Sequence, residues 1–193
     1  MAALGAPFCD VAMLLLDAGL RVSEALSLDW QDIRLTPASG ATFGYLTIRA
    51  GKSKNSKSRN VPLTGRVLTM LTRRGERESG YVFERADGVP LCQTWLNQQH
   101  SAVRAKLKLP TEFVPHSLRH TFGTRLGESG ADAFTIMRLM GHSSVIVSQR
   151  YVHPSPESVE RAFVRFETLN AGQVLMVGTK MGTASSEATA KVQ

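Results

Sequence analysis

The sequence predicts an α+β fold that is mostly helical and carries one small antiparallel β-sheet. Apolar residues recur at helical spacing through most of the chain. Strand-like segments are few: they lie in residues 44–63, on either side of a basic turn, and in a brief extended run at residues 81–83. The 193 residues are 42% hydrophobic and 20% charged, which is ordinary for a globular protein and sufficient for one domain with a real core.

The N-terminal segment is predicted to contain two helices. Residues 8–18 place apolar side chains at helical spacing and are followed by Gly19, a residue that commonly ends helices. A second helix is predicted over residues 21–28, and Pro37 marks the loop that follows it.

The predicted sheet is built around a hairpin. Residues 44–48 read as a short strand, and Val61-Pro62-Leu63 supplies the strand that returns. Between them, residues 51–60 form a turn that contains three lysines and one arginine. The hairpin therefore presents a concentration of positive charge at its tip.

Between the hairpin and residue 170, the chain is predicted to be mostly helical. Thr64 is a candidate N-cap, and Pro110 is expected to close the long helix that precedes it. Residues 1–170 are predicted to form one domain, and residues 171–193 a disordered tail, because that segment is small and polar with little periodicity. The predicted helices cover residues 64–77, 94–109, 116–129, 132–140, 144–152 and 156–169.

The charge balance indicates a polyanionic partner. The chain has 23 Lys and Arg against 16 Asp and Glu, a net charge of +7 and a pI near 9.8. Its two cysteines, Cys9 and Cys92, are far apart, which argues against a disulfide framework or a cysteine zinc site. The apolar run of residues 11–16 is too short to span a bilayer, so a cytoplasmic location without membrane contact is predicted.

Four short motifs carry the functional information. In chain order they are Gly19-Leu20-Arg21, His116-Ser117-Leu118-Arg119-His120, Gly141-His142 and Arg150-Tyr151. Their residue types and order resemble the catalytic domain of tyrosine recombinases, the phage-integrase family. The resemblance extends over about residues 8–168 and implies the fold of that domain, a fold of DNA-breaking and rejoining enzymes.

The resemblance implies that Arg21, His116, Arg119 and His142 act on a DNA phosphate. Arginine suits this task because its planar guanidinium matches two phosphate oxygens. His116 and Arg119 are three positions apart, so one helix face can present both. His116 and His120 also have the i, i+4 spacing of a zinc pair, but Ser117 stands where the glutamate of that motif would be.

Tyr151 is the predicted nucleophile. It follows His142 at the spacing this family uses, whereas Tyr45 and Tyr81 lie in apolar extended segments and are interpreted as core or sheet residues. Its hydroxyl, with an ordinary pKa near 10, needs nearby cations or a base to react at neutral pH. His120 is interpreted as a packing residue that supports the reacting groups rather than one of them.

The resemblance further implies a general acid on the hairpin. The best match is Lys54, with Lys52 as the alternative, and Lys52, Lys57 and Arg59 are interpreted as DNA-binding residues. Glu24 is expected to orient Arg21, since both lie on the same predicted helix.

The predicted function is site-specific DNA recombination or integration through a 3′-phosphotyrosyl intermediate. The implied partners are double-stranded DNA and further copies of the chain, which form a tetrameric synapse in relatives, and no cofactor or metal is expected. The N-terminal core-binding domain of the family is expected to be absent, because the match begins near the first residue. Two alternatives are a strand religase similar to topoisomerase IB and a non-catalytic DNA-binding remnant of a mobile element.

Overall fold

The computed structural model describes residues 6–50, 58–153 and 156–184. In these segments the fold is α+β and mostly helical, as the sequence predicts. The strands are β1 Ile33–Arg34, β2 Tyr45–Ile48 and β3 Arg59–Pro62. The helices are α1 Ala6–Asp17, α2 Val22–Leu26, α3 Gly65–Arg74, α4 Gln93–Lys106, α5 Pro115–Glu128, α6 Ala133–Met140, α7 Val145–Gln149 and α8 Pro156–Ala184.

The three strands form an antiparallel sheet in the order β1-β2-β3. Leu46 pairs with Ile33 on one side and with Val61 on the other, and all three side chains are buried. The predicted hairpin of β2 and β3 is therefore confirmed. Strand β1 was not predicted, because two residues are too few to show an alternating pattern.

A large hydrophobic cluster fills the space between α1, α2, the sheet, α3 and α4. Helix α1 buries Val11, Leu14 and Leu15, whose spacing places them on one face. Residues 25 and 26 attach α2 to the same cluster. Asp10 on α1 is buried, and its carboxylate accepts hydrogen bonds from Arg73 and Arg74 on α3, so α1 and α3 are also joined by ion pairs.

A second, small hydrophobic cluster lies between α5, α6 and the residues after α7. Its buried members are Ile136, Met140 and Tyr151, and partly buried Phe122 and Leu126 pack against them. The candidate nucleophile is thus a member of this small cluster.

Helix α8 belongs to a separate compact unit, residues 154–193. It carries exposed Val159, Phe163 and Phe166 at helical spacing. The helix continues to Ala184, so residues 171–184 differ from the predicted disordered tail; this segment contains no proline that would end a helix. Within the described segments, every helix falls short of the length or apolarity that crossing a membrane requires.

Candidate active site

Arg21 lies at the start of α2. Its backbone N–H donates to Glu24 Oε2 at 2.7 Å, and its Nη1 donates to Glu24 Oε1 at 2.9 Å. Its Nη2 donates to the carbonyl oxygen of Gly141, which lies at the end of α6. These contacts hold Arg21 in place. Because 43% of its side chain is still exposed, Arg21 can also reach a phosphate outside the protein.

Arg119 projects from α5 and is buried, with 3% exposure. Its Nη1 donates to the carbonyl of Gly19 and its Nη2 to the carbonyl of Met140. Burial and the charge of Arg21 lower the pKa of Arg119 to about 10, so the guanidinium keeps its charge at neutral pH. A buried cation acts on nearby negative charge more strongly than an exposed one, because water screens it less.

Arg59 has a different position from the one predicted for a DNA contact. Its side chain is only 7% exposed. Nη1 and Nη2 donate to the two carboxylate oxygens of Glu24 at 3.0 and 2.7 Å, and Nε donates to the carbonyl of Leu139 at 2.9 Å. All three nitrogens are therefore engaged within the protein. Arg59 ties β3 to α2 and α6, and its bidentate pairing with the Glu24 carboxylate holds the side chain inside the protein.

Glu24 is the shared acceptor of Arg21 and Arg59. Burial raises the pKa of Glu24, but the hydrogen bonds from Arg59 and Arg21 outweigh it and hold the pKa below its ordinary value. The carboxylate is therefore ionised at neutral pH. The expected role of Glu24 in orienting Arg21 agrees with these contacts.

His142 follows the residue that ends α6. Gly141 is in the left-handed region (φ 66°), and a Cβ at this position would come within 2.6 Å of Arg59 Nη1, so glycine is required on both counts. His142 Nδ1 lies 2.8 Å from Oγ of the buried Ser148. Burial, with Arg119 and Arg21, lowers the pKa of His142 to about 4. When the serine donates to Nδ1, the neutral ring carries its proton on Nε2 and can donate to a phosphate oxygen.

Tyr151 is 7% exposed and packs closely against α5. A Cβ added at Gly123 would lie 2.8 Å from Tyr151 Cζ, and one added at Gly127 would lie 1.7 Å from the Tyr151 carbonyl oxygen. Its ring is nearly parallel to that of His142, with centroids 6.3 Å apart. Burial raises the pKa of Tyr151, although Arg150 and Arg119 oppose the shift. The free hydroxyl is consequently protonated at neutral pH.

His120 contacts the hydroxyl of Tyr151 directly, which the sequence interpretation missed. Its Nδ1 lies 2.7 Å from Tyr151 Oη. Its ring also meets the ring of His116 edge-on, with centroids 4.7 Å apart. The i, i+4 spacing from His116 placed His120 on the correct helix side, but the sequence held no sign of its partner, which is 31 positions away.

His116 is exposed near the start of α5. Burial, with the positive fields of His120, Arg119 and Arg21, lowers its pKa. It is therefore a neutral group at neutral pH, on the same side of α5 as Arg119 and His120.

Other predicted residues lie outside the part of the chain that the structure describes. These are Lys52, Lys54 and Lys57, in the turn between β2 and β3. In the described segments, His, Cys, Asp and Glu side chains do not gather in groups of three that could hold a metal ion.

A cleft of about 630 Å³ opens beside the arginine and histidine groups. Arg21 and Arg138 give it positive charge, while Arg59 on the same wall is paired with Glu24. Polar side chains and the apolar side chains of Phe134 and Met137 line it together; the polar ones are those of Arg21, Ser58, Arg59, Asn60, Arg138, His142 and Ser143. The positive charge of this cleft suits a nucleic-acid backbone.

The chain was compared with known protein families and with known proteins. The phage integrase family matches residues 6–158. The tyrosine recombinase XerD of Staphylococcus aureus is 30% identical over 164 residues, which cover 79% of this chain and 52% of that protein. The chain thus spans about half the length of this relative.

Two solved structures have the same fold. The Tn1549 transposon integrase in complex with circular intermediate DNA has a TM-score of 0.65 at 21% identity, covering 81% of this chain and 59% of that one. The XerH site-specific recombinase bound to its difH substrate has a TM-score of 0.62 at 26% identity, covering 84% of this chain and 47% of that one. Both were solved with DNA.

Proposed function

Because this chain belongs to the phage integrase family, we propose that it cleaves and rejoins DNA as the catalytic part of a site-specific recombinase. Tyr151 would attack a phosphodiester and form a 3′-phosphotyrosyl link, and a free 5′-hydroxyl of another strand would reverse the step. The observation that carries this proposal is the convergence of Tyr151 with His120, His142 and the arginine groups, which come from α2, α5 and the turns after α6 and α7.

The arginines supply the electrostatic part of the reaction. Arg21 faces solvent and is suited to direct contact with the non-bridging oxygens, while Arg119 provides a buried charge behind it. Negative charge grows on those oxygens as the phosphorus becomes five-coordinate, and preorganised cations stabilise this state more than the starting ester. His142, neutral and oriented by Ser148, adds a hydrogen-bond donor.

The departing 5′ oxygen needs a proton. Following the family resemblance, we assign this role to Lys54, with Lys52 as the alternative. Lys52 and Lys57 are assigned to phosphate contacts in the same turn. The cytoplasmic location predicted from the sequence belongs to the same proposal.

The proposed substrate is double-stranded DNA, held with other copies of this chain. The net charge of +7 and the basic cleft support DNA binding. The exposed apolar side chains of α8, at residues 159, 163 and 166, support self-association, because water disfavours such a stripe when it is unpartnered. The relatives bound to DNA in their solved structures are consistent with this reading.

A covalent-capture experiment tests the function. A pool of nicked duplexes with a randomised centre should yield a protein–DNA adduct that survives denaturing electrophoresis. Tyr151→Phe should abolish the adduct and retain DNA binding in a mobility-shift assay, because only the nucleophilic oxygen is lost. Tyr45→Phe, on β2, is the matched control and should retain the adduct.

The outcomes separate the alternatives. An adduct of equal yield with Tyr151→Phe would refute the assignment of the nucleophile. Binding without any adduct from the unmodified protein would favour the non-catalytic remnant. Transfer of the captured strand to the 5′-hydroxyl of a second duplex supports recombination, whereas rejoining of the original strand alone supports the topoisomerase-like reading.

A further inference from the structure

We propose that His120 is a catalytic residue: its Nδ1 accepts the proton of the Tyr151 hydroxyl as that oxygen attacks phosphorus, and returns it when the strand is rejoined. The proposal deepens the proposed function and rests on Tyr151 as nucleophile. Its basis is the 2.7 Å contact between His120 Nδ1 and Tyr151 Oη. This distance is ordinary for a hydrogen bond and is within reach of direct proton transfer.

His142 and His116 make different contacts. His142 lies with its ring nearly parallel to that of Tyr151, at 16°, and its Nδ1 is engaged with Ser148. His116 contacts the ring of His120. The ring of His120 is instead tilted by 46° to the tyrosine ring, so that its edge, through Nδ1, meets the hydroxyl.

The protonation states fit this direction of transfer. Burial, Arg150 and Arg119 lower the pKa of His120, so the free protein holds the ring neutral at neutral pH. His116 and His142 are the other titratable groups that face it, and both have lowered pKa values and are neutral there. Since burial raises the pKa of Tyr151, the hydroxyl does not ionise unaided, and attack requires an acceptor.

In this step, each bond that forms is matched by one that breaks. The Tyr151 Oη–H bond breaks as the Oη–P bond forms, and the proton passes to Nδ1, which converts His120 to imidazolium. The bond from phosphorus to the 5′ oxygen breaks, and that oxygen takes its proton from the separate acid assigned above. The DNA phosphate brings negative charge beside Arg119 and Arg150, which offsets their repulsion of the new imidazolium. On rejoining, the same proton returns to the departing tyrosine oxygen.

His120→Asn distinguishes proton transfer from mere positioning, because asparagine offers an oxygen close to the Nδ1 position but takes up no proton. We expect adduct formation at neutral pH to slow by ~10²-fold or more, the range of general acid–base catalysis. With a trifluorotyrosine at position 151, whose phenol is already ionised at that pH, most of this loss should disappear. His153→Asn, at an exposed histidine two residues from Tyr151, is the control and should change neither rate.

A loss that is the same with tyrosine and trifluorotyrosine overturns the base role, and so does an unchanged rate in His120→Asn. A second measurement is independent of cleavage. NMR of the DNA-free protein with isotopically labelled histidine should show His120 protonated on Nε2, with an Nδ1 resonance that shifts in Tyr151→Phe. A proton on Nδ1 contradicts the proposal even if the protein is active. If no adduct forms at all, the proposed function fails, while the NMR result still decides whether His120 accepts from Tyr151.

Discussion

The two hydrophobic clusters of residues 6–153 support different halves of the candidate site. Glu24 lies on α2 and Arg21 directly precedes this helix, which is attached to the large cluster through residues 25 and 26. Tyr151 instead belongs to the small cluster, whose other buried members are Ile136 and Met140. The half proposed to bind phosphate therefore has extensive apolar support, whereas Tyr151, the proposed nucleophile, has little.

Three arginines join the halves. Arg119 donates to Gly19 and Met140, Arg21 to Glu24 and Gly141, and Arg59 to Glu24 and Leu139. The end of α6 thus receives a hydrogen bond from each of them. The stability of the fold therefore comes chiefly from the large cluster, while the position of Tyr151 depends on hydrogen bonds and a few close contacts. Small changes near Tyr151 should consequently impair catalysis more than folding.

Gly127→Ala should have the largest effect. Its Cβ would come within 1.7 Å of the Tyr151 carbonyl oxygen, so the backbone that carries the nucleophile must move. We expect adduct formation to fall by ~10²-fold or more, as displacements of about an ångström at a reacting group can produce. Single-turnover capture on nicked DNA measures the rate, and thermal unfolding measures stability.

The matched control is Gly65→Ala on α3. Its Cβ would lie 3.7 Å from Phe43, an ordinary contact, and so both adduct formation and thermal stability should be retained. A wild-type cleavage rate in Gly127→Ala would contradict the view that close packing sets the position of Tyr151.

Features that depend on local sequence could be predicted. The helices and the hairpin depend on local periodicity, and the structure contains them, with the added strand β1 and a last helix that runs on through residues 171–184. The family resemblance is confirmed as well. The order of motifs selected Arg21, Arg119 and Tyr151 as candidates, and the structure brings these three residues to one region. The general-acid assignment to Lys54 stays a prediction, because that residue lies outside the described segments.

The roles of His120 and Arg59 could not be predicted in the same way. Each is decided by a partner far along the chain: Tyr151 is 31 positions from His120, and Leu139 is 80 positions from Arg59. From sequence alone, a basic residue at the edge of a basic turn is interpreted as an exposed residue that contacts DNA. Only the packing of β3 against α6 shows that Arg59 points inward.

Arg59→Lys tests the connection between the halves and should have an intermediate effect. One ammonium group cannot reproduce the three nitrogen contacts to Glu24 and Leu139. We expect a loss of ~2 kcal/mol in the free energy of unfolding, the scale of hydrogen bonds to charged groups, and slower adduct formation. Urea denaturation and the capture assay measure the two quantities.

Arg49→Lys is the control, because Arg49 forms an exposed ion pair with Asp32 and such pairs contribute little to stability. If both variants lose stability equally, the buried arrangement of Arg59 has no special importance. If Arg59→Lys unfolds more easily but cleaves normally, Arg59 supports the fold and does not position Arg21.

Glu24→Gln should have the smallest effect, and one that depends on pH. Hydrogen bonds from Arg59 and Arg21 overcome the burial that raises the pKa of Glu24 and hold it below the unfolded value of about 4.3. A carboxyl with a lowered pKa contributes stability above its unfolded pKa, and this contribution is lost as pH falls through the folded pKa. We expect Glu24→Gln to be less stable than the unmodified protein by ~1.5 kcal/mol at neutral pH.

This difference should shrink to nothing in strong acid, where glutamate and glutamine are both neutral. Urea unfolding of the two proteins across that pH range measures it, and Glu128→Gln, at an exposed position near the end of α5, controls for the loss of one negative charge. A difference that does not change with pH would mean that Glu24 acts through its shape alone. A difference that vanishes in acid shows instead that the ionised form of Glu24 holds Arg21 and Arg59, and with them the half of the site proposed to bind phosphate.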